Sequence, residues 1–197
     1  MGAIFQSLGR TITAGVVLLI IILILAGATT GTWIKADHAW WTFIMRWLHV
    51  LSGIMWIGIL WYFNFVQTPS MPKIPDEQKP AISKVIAPAA LFWFRWAALA
   101  TVVTGLLLAW MNGYIGQALG LQKPFTAIGI GMWLALIMAF NVWFIIWPNQ
   151  KKALGIVQVE AAEKAAAAKM AGMTSRFNTM FSIPMLYCMV VQQNGGF

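Results

Sequence analysis

Among the residues that can do chemistry, His49 is the only histidine inside a long apolar stretch. Arg46, His49, Gly53 and Trp56 are spaced i, i+3, i+7 and i+10, so they lie along one side of a helix. Gly53 leaves a notch one turn from the imidazole, which admits either a closely packed helix or the face of a flat ring such as haem. The pattern therefore leaves two roles open for His49: a ligand of haem iron, or a hydrogen-bonding residue between helices.

The other histidine, His38, lies eleven residues before His49. Eleven residues of helix span about 16 Å, so the two imidazoles cannot bind one iron from the same helix. If haem b is bound, we expect His49 to ligate the iron, with Gly53 and Arg46 beside the ring. The second axial position is then open, or filled by another residue or subunit. An open position favours substrate or oxygen chemistry over simple electron transfer.

Two arginines, Arg46 and Arg95, lie within apolar stretches, whereas all five carboxylates lie outside them. An arginine at the centre of a spanning helix costs roughly 2.5–3.5 kcal/mol on insertion scales. The pattern predicts an anion from elsewhere: a lipid phosphate, a cofactor propionate, an anionic substrate or a group on another subunit. Snorkelling to the headgroups is the alternative. Small residues share the stripe of Arg95, so we expect it to point into the bundle. Asn141 and Asn64 are hydrogen-bonding candidates with two roles open, a bond between helices or a ligand contact, and we expect Arg95 and Asn141 to hold the substrate or anion.

The composition excludes most soluble functions. Of the 197 residues, 60% are hydrophobic and 9% are charged, far from the soluble average of about a quarter charged. The thirteen basic residues are scattered between apolar runs, which argues against a nucleic-acid binder. The single cysteine, Cys188, excludes a CxxCH haem-attachment site. Since no nucleophile and base lie together at depth, any chemistry is expected to be redox chemistry of a bound cofactor.

The apolar stretches predict an all-α integral membrane protein, a single polytopic domain over residues 1–197. Its bundle has five transmembrane helices, with four as the fallback because the last stretch is short. The first stretch also resembles a signal peptide around Ala26-Gly27-Ala28, but we expect it to be an anchor helix. The spans are predicted at about 12–29, 39–67, 87–110, 125–147 and 171–191, with a cytoplasmic Ala-rich helix at about 151–170.

The distribution of basic residues predicts the orientation. With five spans, nine lysines and arginines lie on the side of the N-terminus, against two, Lys35 and Lys123, on the other side. The N-terminus is therefore expected in the cytoplasm and the C-terminus outside.

Four groups of motifs in order resemble the urate oxidase N-terminal family, the membrane domain of bacterial cytochrome-c-linked urate hydroxylases. The resemblance covers roughly residues 40–192. Its motifs are RWLHVLSGIMWIG at 46–58 with YF at 62–63; FWFRW at 92–96 with TG at 104–105; NVW at 141–143 with IWPNQK at 146–151; and SR at 175–176 with NT at 178–179 and SIPML at 182–186. The helix that contains His49 is also similar, more distantly, to membrane protoporphyrinogen oxidases, whose histidine binds haem b, and to CopD-type copper-resistance proteins.

The resemblance implies a multi-pass protein of the bacterial inner membrane that oxidises a small anion and passes electrons to a cytochrome c. Urate is an anion at neutral pH, which suits Arg46 or Arg95. Because the family's cytochrome c domain has no counterpart in these residues, the acceptor is expected to be a separate chain. The alternative is a non-catalytic haem-binding or accessory subunit of a larger respiratory or photosynthetic complex.

Overall fold

The computed structural model describes residues 2–194, and no strand occurs among them. By their internal contacts the residues form two compact units, Met1–Trp41 and Thr42–Phe197.

The first unit contains a short helix, α1 (Gly2–Phe5), and the apolar helix α2 (Leu8–Thr30). Helix α2 ends at Gly31, whose φ of 69° is a left-handed conformation that favours glycine, and whose N–H donates to the Gly27 carbonyl. The chain then folds back, and the Trp33 ring lies so close to Gly27 that a Cβ there would be 2.7 Å from it. The predicted first span is therefore a regular helix.

The next three long helices each contain a π-helical segment, in which hydrogen bonds run from residue i to i+5. The first, His38–Lys73, consists of α3 (His38–Trp61), π1 (Tyr62–Gln67), α4 (Thr68–Ser70) and a 3₁₀ turn (Met71–Lys73). The second, Lys79–Met111, consists of α5 (Lys79–Ala81), π2 (Ile82–Ile86) and α6 (Ala87–Met111). After the short α7 (Ile115–Leu119), Thr126–Ala153 consists of α8 (Thr126–Phe140), π3 (Asn141–Ile146) and α9 (Trp147–Ala153).

Within residues 2–194, four helices are long and apolar enough to cross a membrane: α2, His38–Lys73, Lys79–Met111 and Thr126–Ala153. The protein is therefore all-helical and carries at least the fallback number of predicted spans. The fifth predicted span lies within α10 (Ala161–Asn194), which stays helical through Pro184. The predicted Ala-rich helix is not a separate element. Its end forms the start of α10, because nothing at residue 170 breaks the helix.

The core of the second unit lies between its three long helices and α10. Its fully buried side chains include Trp56, Leu60, Phe94, Met138, Val142 and Ile146. Helix α10 lies along the whole length of Thr126–Ala153: Asn178 bonds Asn141, and Gln192 bonds the Pro124 carbonyl and the Ile128 N–H. This packing brings one end of each of the four helices together, at the lysine-rich end that carries Lys79, Lys84, Lys151 and Lys152. We call it the basic end.

Candidate functional site

A cavity of about 140 Å³ lies at the basic end, where all four helices of the second unit contribute to its wall. We call it the basic-end cavity. Nine of its sixteen lining residues are apolar, among them Leu91 and Phe94, and the other seven carry amides, hydroxyls or a guanidinium. These polar residues are Asn64, Gln67, Thr68, Ser83, Gln150, Ser175 and Arg176.

All three π-helical segments contribute to this cavity. Asn64 and Gln67 belong to π1, Ser83 belongs to π2 and Ile146 belongs to π3. π-Helical turns are rare and often occur at functional sites, because the extra residue changes which side chains face the interior. The convergence of three such segments on one cavity therefore marks it as the candidate functional site.

The polar groups of the cavity are not all paired within the protein. The Asn64 amide donates to Ser175 Oγ at 2.8 Å and to the Leu60 carbonyl at 2.9 Å. By contrast, Gln67 Oε1 is buried and accepts no hydrogen bond from the described residues. A buried acceptor without a donor is uncommon in proteins and unfavourable, so the Gln67 amide would gain by turning toward a donor in the cavity.

Arg176 supplies the charge of the cavity. Its side chain is exposed, so the cavity reaches the surface there, and it forms no ion pair with a carboxylate of the described residues. It is also the one ionisable residue among the described lining residues. One positive charge together with amide donors and acceptors suits a small flat anion that carries both N–H and C=O groups.

His49 lies elsewhere, between α3 and α6. Its Nδ1 is 2.9 Å from the Thr101 carbonyl and 3.2 Å from Thr104 Oγ1. A carbonyl oxygen only accepts, so Nδ1 carries the proton and Nε2 has a lone pair. No described residue donates to Nε2. This is the state in which a histidine ligates iron, since the bond at Nδ1 orients the ring and sets its tautomer.

The two neighbouring glycines differ in how closely other atoms approach them. A Cβ at Gly53 would be 3.9 Å from Thr101 Cγ2, which is an ordinary van der Waals contact, whereas a Cβ at Gly105 would be 2.8 Å from His49 Cε1. Gly105 therefore lets the His49 ring lie directly against α6. The donor chemistry of His49 fits one axial ligand of haem. Among residues 2–194 no three His, Cys, Asp or Glu form a metal-binding group.

Arg46 is exposed and lies near Tyr114, at the end of the second unit opposite the basic end. Burial raises the pKa of the Tyr114 hydroxyl, and the positive charge of Arg46 partly opposes that shift. The Tyr114 ring stacks on Phe125, with 4.8 Å between centroids. Arg46 is therefore accessible at this end and is not part of the basic-end cavity.

The other two predicted anion-binding residues are also separate from the cavity. The Arg95 guanidinium lies 3.4 Å above the centroid of the Trp147 ring, while the adjacent Phe94 fills the core. Asn141 donates to Asn178 Oδ1 at 2.8 Å, and Asn178 donates to the Met138 carbonyl at 2.9 Å. Asn141 thus forms a hydrogen bond between two helices, which is one of the two roles left open for it. The Arg95 guanidinium contacts Trp147 instead.

Residues 115–195 match the family described as Urate oxidase N-terminal. The match confirms the resemblance predicted from the sequence motifs over that part of the chain. No curated protein and no solved structure matches the chain significantly.

The Urate oxidase N-terminal match bears on the two sites differently. It includes six residues of the cavity wall, namely Ile146, Gln150, Leu154, Gly172, Ser175 and Arg176. His49 lies before the matched range. The sequence analysis missed the cavity, although Asn64 was a hydrogen-bonding candidate and Arg176 lies in one of the family-like motifs.

Proposed function

We propose that this protein binds a small flat anion of the urate class in the basic-end cavity and takes part in its oxidation, as a membrane protein related to the urate hydroxylases. The observation that carries the proposal is the convergence of Arg176, Asn64 and the unpartnered Gln67 on one cavity. The matched part of the chain supplies six of the sixteen lining residues, which links the cavity to the family.

The cavity suits this class of ligand in size and chemistry. A cavity of about 150 Å³ in another protein admits benzene, so one of about 140 Å³ suits a small flat compound and is too small for a nucleotide. Arg176 pairs with the negative charge, the Gln67 carbonyl oxygen accepts from a ring N–H, and Gln150 offers an amide to a ring carbonyl.

His49 is the residue that would hold haem b, through which electrons would pass to a separate cytochrome c. When bound, haem supplies a redox-active iron whose potential is adjusted by its ligands and surroundings. Thr101 and Thr104 hold the imidazole so that Nε2 faces away from their hydrogen bonds. Asn64 lies fifteen residues after His49, about 22 Å along the helix. The iron therefore does not contact a substrate held in the basic-end cavity.

The proposed topology has five spans, a cytoplasmic N-terminus and a location in the bacterial inner membrane. Its support is the excess of lysine and arginine at the basic end and the packing of α10 along Thr126–Ala153 from Asn178 to Gln192. In this arrangement the basic-end cavity opens toward the cytoplasm.

One observation favours the second candidate, a non-catalytic haem-binding or accessory subunit. The described lining of the cavity contains no Asp, Glu or His, and so no side chain suited to serve as a general base near neutral pH. In that case the protein binds the anion or the haem without turning the anion over.

The proposal is tested by titrating the purified full-length protein with urate and measuring the heat of binding. Arg176→Gln is expected to weaken binding about tenfold or more, because a hydrogen bond to a charged group contributes about 1.5–3 kcal/mol. Arg176→Lys should retain part of the affinity. The matched control is Lys169→Gln, which removes an exposed charge from the same helix outside the cavity. Equal urate affinity in Arg176→Gln and the wild type, or no binding by the wild type, would refute the cavity proposal.

The haem proposal is tested separately by visible spectroscopy of protein purified from cells supplied with haem. A Soret band is expected for the wild type and for His38→Ala, whereas His49→Ala should lose it because Nε2 is the proposed ligand. The absence of a Soret band in the wild type, with a normal yield of His49→Ala, would exclude haem. A protein that binds haem and urate but shows no urate-dependent reduction would favour the accessory-subunit alternative.

A further inference from the structure

Two positive charges share one tryptophan ring on the outer side of the helix pair formed by Lys79–Met111 and Thr126–Ala153. Arg95 Cζ lies 3.4 Å and Lys151 Nζ lies 5.6 Å from the centroid of the Trp147 ring. The face of an indole ring attracts cations but carries no net charge. Neither residue forms an ion pair with a described carboxylate. The pair therefore lacks a counter-ion in the described part of the chain.

Two buried N–H donors lie along the same strip of the surface. Arg95 Nη1 and Trp143 Nε1 are both buried, and neither has a hydrogen-bond partner among the described residues. Trp143 is one turn before Trp147, so the two indoles lie on one face of the helix. A buried donor without an acceptor is unfavourable, most of all in a membrane, where water does not supply one. Both donors are closed to solvent as the side chains lie, so they gain an acceptor only when the side chains turn toward a bound molecule.

An apolar groove lies next to the cation pair. It has a volume of about 380 Å³, and its lining includes Leu99, Val102, Leu136, Phe140, Trp143 and Phe144. Leu99 is one turn after Arg95 in α6, and Trp143 is four residues before Trp147. The cation pair thus lies about one turn beyond the end of a groove with apolar walls.

We propose that this strip binds an anionic phospholipid, with its phosphate between Arg95 and Lys151 and one acyl chain in the groove. The phosphate supplies the missing negative charge beside Arg95 and Lys151. Trp147 and Leu136 are eleven residues apart, about 16 Å of helix. That length is close to half of the roughly 30 Å hydrocarbon core, so the groove accommodates the acyl chain of one leaflet.

The lipid strip and the basic-end cavity are independent, although they share two helices. Phe94, Ile146 and Gln150 line the cavity, whereas the next residues in sequence, Arg95, Trp147 and Lys151, form the cation site. Variants in one site therefore test that site alone.

The test is native mass spectrometry of the delipidated full-length protein in detergent, titrated with phosphatidylglycerol or with phosphatidylcholine of the same acyl chains. The wild type is expected to retain phosphatidylglycerol in preference to phosphatidylcholine. Arg95→Gln and Lys151→Gln should each weaken phosphatidylglycerol retention about fivefold, the effect of one basic residue near an anionic lipid surface. Arg95→Lys should keep the preference, and Lys169→Gln is the matched control.

The groove is tested by Leu99→Trp, which fills it without changing the charge. This variant should lose retained phosphatidylglycerol, and inorganic phosphate at the same concentration should not displace the lipid from the wild type. The proposal is overturned if both lipids are retained equally, if Arg95→Gln and Lys151→Gln retain phosphatidylglycerol like the wild type, or if free phosphate displaces it. It is also overturned if a membrane protein whose carboxylate pairs with Arg95 occupies the strip instead.

Discussion

Replacement of Gly129 by alanine is expected to destabilise the protein by about 3 kcal/mol. Gly129 in α8 packs directly on the end of α7, and an added Cβ would overlap the Ala118 carbonyl oxygen and lie 2.9 Å from the Ala118 carbonyl carbon. Both atoms belong to the backbone, so the overlap is not relieved by a change of rotamer. The two helices must separate, which weakens the buried contacts of Ala118 and Ala127.

Gly116→Ala is the matched control for this prediction. Gly116 is also helical, in α7, but no atom lies within 4 Å of the position that a Cβ would take there. Alanine favours a helix over glycine by about 0.5–1 kcal/mol, so this variant should be as stable as the wild type or slightly more stable. Thermal unfolding in detergent, followed by far-ultraviolet circular dichroism, compares the two variants. If Gly129→Ala melts at the wild-type temperature, the close approach of α7 and α8 is wrong.

Asn178→Leu is expected to destabilise the protein by about 2–4 kcal/mol, since each buried polar group left without a partner costs about 1–3 kcal/mol. Asn178 is fully buried and connects α10 to two groups of the fourth long helix, the Asn141 amide and the Met138 carbonyl. Leucine has a similar size, so the main loss is of hydrogen bonds and not of packed volume. The Asn141 amide would then lose the acceptor to which it donates.

A double-mutant cycle separates this bond from general damage. If the amides of Asn141 and Asn178 act as a pair, the double variant Asn141→Leu with Asn178→Leu should lose less stability than the sum of the single variants. The loss of stability in the double variant should be smaller than the sum of the two single-variant losses by about 1 kcal/mol. This difference is within the range measured for hydrogen bonds between membrane helices. Strict additivity in the unfolding free energies would show that the two amides do not interact.

Much of the architecture was predictable because long apolar runs have few alternatives in a membrane. The stretches at 12–29, 87–110 and 125–147 each correspond to one long helix. Lys79–Met111 begins eight residues before the predicted start at 87, and Thr126–Ala153 ends six residues after the predicted end at 147. His38–Lys73 extends past the predicted end at residue 67, because π1 and the following turns continue the helix into a proline-rich segment. The Ala-rich segment joins α10, since alanine favours a helix and no breaker separates it from the apolar part.

The candidate site was less predictable, for a specific reason. A regular helix places side chains about 100° apart, and spacing arguments assume that this angle holds along the whole helix. Each of π1, π2 and π3 adds a residue to a turn and so rotates every later side chain. Asn64, Gln67 and Ser83 therefore reach a common cavity through rotations that no periodicity in the sequence reveals.

The sequence alone determined that the helices are long and apolar enough for a membrane, and that few charged residues lie within them. Length and hydropathy require membrane helices, and the absence of intramembrane carboxylates leaves Arg46 and Arg95 without an internal counter-ion. Only the tertiary structure decided the location of each charge: Arg46 near Tyr114, Arg95 on Trp147 and Arg176 at the cavity. The physical reason is that hydrophobicity is a sum over local residues, whereas a binding site depends on the relative rotation and approach of helices that are distant in sequence.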